Sequence, residues 1–155
     1  MILMTRIASA LTLTVALASV GTSAWAHTDA PHPSTLKAVH GGQLGVAGDY
    51  SYELVIAKDA KEGVESPVLV YVTDHAGMKI PSAGASGTAT ILAAKKKHTV
   101  TLQPDGDNRL KGLAKYSAVP DMKVLISVTL MGKAPEQTRF TPMAAAKDGH
   151  TDHPH

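Results

Sequence analysis

The chain has no cysteine. That absence rules out a disulfide framework, thiolate metal ligation, a thiol nucleophile and a lipid-modified N-terminal cysteine. Any bound metal must use histidine, methionine, carboxylate or backbone donors. Aromatics are almost as scarce, with one Phe (Phe140), one Trp (Trp25) and four Tyr, so the core must be built from Val, Leu, Ile and Ala. Neither sign of charge dominates: the formal net charge is +2. Phosphate binding needs concentrated cationic charge, so nucleic acid is not an expected partner. The one basic run, Lys95-Lys96-Lys97, suits a hairpin or a strand edge. The motifs of nucleophilic and zinc hydrolases, Gly-x-Ser-x-Gly and His-Glu-x-x-His, are absent. Asp105 and Asp107 lie in a turn whose composition explains them. An enzyme is not expected.

What is present begins with an address. Arg6 precedes an apolar run over 7–20, then Gly21-Thr22-Ser23 and the small–x–small sequence Ala24-Trp25-Ala26. This has the pattern of an export signal cleaved after Ala26, which implies the periplasm. The run is too short and too rich in Ala, Ser and Thr to span a bilayer, which takes about 20 predominantly apolar residues. A polar arm over 27–38 follows, then one domain over 39–142 and a polar tail over 143–155. Within the domain, period-two alternation marks strands near 43–47, 50–58, 67–73, 88–94, 97–103, 109–116, 122–131 and 137–141. Tyr52, Leu54 and Ile56 share one face, and so do Val68, Val70 and Val72; Ser51 and Glu53 fall on the opposite face of theirs. No segment sustains a helical period. The expected fold is an all-β, immunoglobulin-like antiparallel sandwich of about seven strands with disordered tails, with a barrel as the alternative.

The eight histidines all follow Ala26, and they are unevenly placed. His27 and His32 lie in the arm, and His150, His153 and His155 in the last six residues. The two ends resemble each other, His-Thr-Asp-Ala-Pro-His against His-Thr-Asp-His-Pro-His. Imidazole is the commonest neutral ligand for copper, zinc, nickel and cobalt, and short His-rich tracts are a compositional sign of metal capture. His27, as the mature N-terminus, offers an amine and an imidazole together. A copper oxygenase would hold such a pair on a rigid sheet rather than a Pro-rich arm. His40 and His75 are the sharper pair, each at a strand edge beside glycines that let backbone approach closely. Asp74 is placed to orient His75 or to ligate directly. His98 reads as an ordinary strand residue. Of the methionines only Met78, three residues after His75, stands near a candidate ligand.

His40-Gly41-Gly42, Tyr52-Glu53-Leu54-Val55, Tyr71-Val72-Thr73-Asp74-His75-Ala76-Gly77, Gly84-Ala85-Ser86-Gly87 and the 102–110 hairpin carry a resemblance. Together they resemble a family of small periplasmic proteins that accompany heavy-metal efflux systems, related to a domain on the adaptor subunits of metal-exporting pumps. The resemblance covers roughly 39–141. It implies an immunoglobulin-like sandwich, His40 and His75 as core ligands, and metal ions with efflux-pump components as partners. The resident ion would be copper or zinc, with silver, cobalt, cadmium and nickel also within that chemistry. The competing expectation is an interaction module that docks onto an efflux adaptor and binds no metal in its core.

Overall fold

The computed structural model describes residues 36–144. They form eight antiparallel strands: β1 (Gln43–Ala47), β2 (Tyr50–Ile56), β3 (Glu65–Asp74), β4 (Ser86–Ala93), β5 (Lys96–Pro104), β6 (Arg109–Lys115), β7 (Lys123–Thr129) and β8 (Glu136–Phe140). The hydrogen-bonded order is β1-β2-β3-β6-β5-β4-β7-β8. The all-β expectation is what the molecule has, and each strand falls where alternation places one.

Order and register follow from turns and apolar faces. Gly48, at φ +53°, opens the turn into β2, and Ala94 and Lys95, at +49° and +61°, form the two-residue turn between β4 and β5. Positive φ at both centres is the primed turn that matches strand twist, so the lysine run caps a hairpin. The connections β3→β4 and β6→β7 cross between layers, which makes two overlapping Greek keys, β3-β6-β5-β4 and β6-β5-β4-β7. One layer is β1-β2-β3-β6 and the other β5-β4-β7-β8. They are joined by β5, which pairs with β4 from Lys96 to Leu102 and then with β6 at Gln103 and Pro104.

The opposite side is closed by side chains rather than a ladder. The Thr141 amide donates to Gln43 Oε1 at 2.8 Å, and Tyr52 Oη donates to Glu136 Oε2 at 2.8 Å. Gly45 has no Cβ, and the space one would take is filled by the Thr138 hydroxyl and the Phe140 ring. The result is a sandwich nearly closed into a barrel, which lies between the two expected architectures.

Between the layers sit Tyr52, Leu54, Val68, Val70, Val72 and Leu110 from one side, and Ile91, Leu102, Val124, Ile126, Val128 and Phe140 from the other. Burial on the faces the alternation assigns is the main stabilising term, at about 25 cal/mol per Å² of apolar surface. Tyr116, fully buried just past β6, ties this core to backbone. Its hydroxyl accepts from the Ala57 amide at 3.0 Å and donates to the Pro67 carbonyl at 2.9 Å. Tyr116→Phe removes the partner of both part-buried groups and is expected to cost about 1–3 kcal/mol, read as a fall in denaturant midpoint with unchanged slope. An unchanged midpoint would show that both groups find other partners.

Alternation misleads at one strand. Ser51 and Glu53, which it turns to solvent, are buried at 1% and 5% exposure. The cover over Glu53 comes from the chain before β1.

Candidate functional site

Glu53 is the centre of this cover. Its carboxylate accepts the amides of Val39 (3.1 Å), His40 (2.8 Å) and Gly42 (2.9 Å), and the His40 Nδ1 at 2.9 Å. Residues 36–42 therefore lie as a strap over the outer face of β2 and β3, gathered onto one carboxylate. Gly42 is required by the close passage, because a Cβ there would run into the Leu54 carbonyl. Burial would raise the Glu53 pKa. The hydrogen bonds from the Gly42 amide, the His40 ring, the His40 amide and the Val39 amide outweigh it and hold the carboxyl below its ordinary range.

That carboxylate decides the histidine tautomer. An ionised carboxylate only accepts, so His40 Nδ1 must carry the proton, and in the neutral ring Nε2 is left with a lone pair. The imidazole is 38% exposed. Its face is fixed as well, stacked on Tyr71 with ring centroids 3.5 Å apart and planes within 4°. Tyr71 is positioned by register, since it stands directly across from Glu53 on β2 and from Arg109 on β6. The Arg109 guanidinium lies 5.9 Å from the Tyr71 ring centre and is held from the other side by Asp105 at 2.8 Å. A buried anion, an oriented imidazole, an aromatic platform and a cation thus form one row across the strap, β2, β3 and β6. Chemically, the row presents one oriented imidazole, partly open to solvent, whose Nε2 offers a lone pair in the neutral ring.

The other candidates are placed differently. His75 is exposed in the turn that closes β3. Asp74 Oδ1 accepts the Ala76 amide at 2.9 Å and the Met78 amide at 2.8 Å, so that carboxylate shapes the turn. Among the described residues Asp74 makes no hydrogen bond to His75. Tyr71, under the His40 ring, lies three residues before the end of β3 at Asp74, about 10 Å at strand rise, and His75 follows in the turn. The contacts on His40 come from Glu53 and Tyr71, and among the described residues no hydrogen bond links the two histidines. They mark the two ends of the strap: Leu36 packs at Gly77, and His40 sits over Glu53. Met78 is 68% exposed in the same turn. His98 is half-buried on β5 opposite Ile91. His27, His32, His150, His153 and His155 lie outside the described residues. Within the described residues no three His, Asp or Glu side chains converge as a metal cage.

Glu53 and Tyr71 were not among the sequence candidates. A glutamate in an alternating strand reads as a solvated residue. The one available signal was the His40-Gly41-Gly42 turn itself, whose successive amides need an acceptor from somewhere.

Fold and site together define a small Greek-key β domain whose strap presents a carboxylate-anchored histidine. No known family profile and no curated protein matches the chain. Among the described residues no helix is long and apolar enough to cross a membrane.

Proposed function

We propose that this protein is an exported, non-catalytic binder of a transition-metal ion, copper or zinc, with His40 Nε2 as its ordered ligand. The supporting observation is the 2.9 Å contact between His40 Nδ1 and the buried Glu53 carboxylate. Metal-bound histidines almost always give their second ring N–H to such an acceptor, which sets the tautomer and raises ligand basicity. One imidazole is an incomplete site. The remaining donors would come from the arm and tail histidines His27, His32, His150, His153 and His155, with His75 and Asp74 as a separate, weaker locus at the far end of the strap. In the periplasm such a protein would buffer ions or hand them to components of a metal-efflux pump, the role the family resemblance implies.

Titration of residues 27–155 with Cu(II) and Zn(II) by calorimetry tests this. Expected is one site tighter than the rest, weakened at least tenfold by His40→Ala and by about 10–100-fold by Glu53→Gln, since loss of the acceptor frees the ring. Affinity and stoichiometry unchanged in His40→Ala would remove the ordered ligand from the proposal. The exposure of His75, whose neighbour Asp74 is taken up by the turn amides, favours the second reading, an interaction module for an efflux adaptor. A melting temperature unmoved by excess metal, with metal-independent capture by such an adaptor, would select it.

A further inference from the structure

A second surface, on the other layer, carries an inference independent of the metal reading. On the outer face of β5-β4-β7-β8, cross-strand register puts Lys97, Leu92 and Lys123 side by side. The next row on that face runs through Thr90, Leu125 and Arg139. These rows enclose an open groove of about 370 Å³, within the size range of small-molecule sites. Leu92, 47% exposed, and Leu125 form an apolar floor. Lys97, Lys123 and Arg139 stand round it, and their aliphatic stems extend the apolar lining while the charged heads reach water.

Three features separate this from an ordinary solvated face. The residues lie on the two inner strands of the layer as well as on the outer ones, so the lysines are not there merely to guard an edge. The lining contains no carboxylate. Among the described residues, none of the three cations is in an ion pair; the neighbouring basic residue Lys96, by contrast, pairs with Glu62. The nearest acid in the sequence, Asp121, lines the adjoining hollow beside Lys123 and Lys95 rather than this one. An apolar floor with unneutralised positive charge on three sides complements one chemistry, an alkyl body ending in an anion.

We propose that this groove binds a single-chain anionic amphiphile, of the fatty-carboxylate class, with its chain over Leu92 and Leu125 and its head among Lys97, Lys123 and Arg139. The anion would gain charge-assisted hydrogen bonds, and the chain would cover the exposed leucine.

The test is titration of the ¹⁵N-labelled protein with decanoate below its micelle concentration, followed by amide shifts. Expected are saturable shifts confined to residues around 90–92, 97, 123–125 and 139–141, weakened at least tenfold by Lys123→Glu/Arg139→Glu. Decyl maltoside and decylammonium, which share the chain but not the charge, should bind at least tenfold more weakly. Leu92→Ser keeps every cation and should weaken decanoate several-fold while leaving short carboxylates such as acetate unaffected. Overlaid starting spectra would show that the variants remain folded. Shifts that fail to saturate, equal response to all three amphiphiles, or decanoate binding unchanged in both variants would overturn the proposal. Saturable binding of an acidic peptide with none of decanoate would replace the amphiphile with a protein partner and equally overturn it.

Discussion

Phe140→Ala is expected to lower stability by about 3–5 kcal/mol, the cost of emptying a large buried aromatic site. Phe140 is 2% exposed and is the sole phenylalanine of the chain. It sits opposite Val124 on β7, and its ring fills the space left by the missing Cβ of Gly45 on β1. No ladder joins β8 to β1, so this ring is part of what closes that side of the domain. Domains of this size have only about 5–15 kcal/mol in total. Thermal unfolding should move down by roughly 15 °C or more, and the variant will be close to unfolded at physiological temperature. Phe140→Leu, which keeps most of the volume, should cost well under half as much. A fall of only a few degrees in Phe140→Ala would mean that the seam holds through Gln43, Tyr52 and Glu136 without the ring.

Glu53→Gln should cost about 2–3 kcal/mol at neutral pH, because a neutral amide cannot accept all four donors that now converge on the carboxylate. Its pH dependence separates this from a simple packing defect. The Glu53 pKa is lower in the folded protein than in the unfolded chain, so the unfolded state takes up protons first as the solution is acidified. The stabilisation is complete above the unfolded value, near 4.5, and is lost as pH falls through the lower folded value. Wild type and Glu53→Gln should therefore differ most at pH 6–7 and converge in acid. Amide exchange should rise at Val39, His40 and Gly42 in the variant while the β4–β7 ladder stays protected. A stability difference that does not change with pH would show that the carboxylate's charge is not what holds the strap.

The strands were legible because their evidence is local. Val68, Val70 and Val72, or Val124, Ile126 and Val128, declare an inward face by period two alone, and Pro104-Asp105-Gly106-Asp107-Asn108 declares a turn by its residue types. Even so, Asn108 proved buried, its side-chain amide donating to the Val72 carbonyl at 2.9 Å, because the turn folds back onto β3. The site was half legible. The glycines beside His40 marked a close approach, and Gly42 makes one. What His40 would meet was not written near it, since its partner lies thirteen residues on in β2 and its stacking platform further still, in β3.

The sequence by itself thus determined the class of fold, the eight strands and the residues of the core, since side-chain direction along a strand depends only on position within it. Only the tertiary structure decided which of the outward faces stay outward. Burial of Glu53 requires residues 36–42 to cross over β2 and β3, and the choice of His40 tautomer follows from that crossing. Sandwich or near-barrel was likewise settled by β5 changing layers and by side chains meeting across the β1–β8 seam, contacts between segments far apart in the chain. Alternation says which way a side chain points, but what lies above it depends on where distant backbone comes to rest.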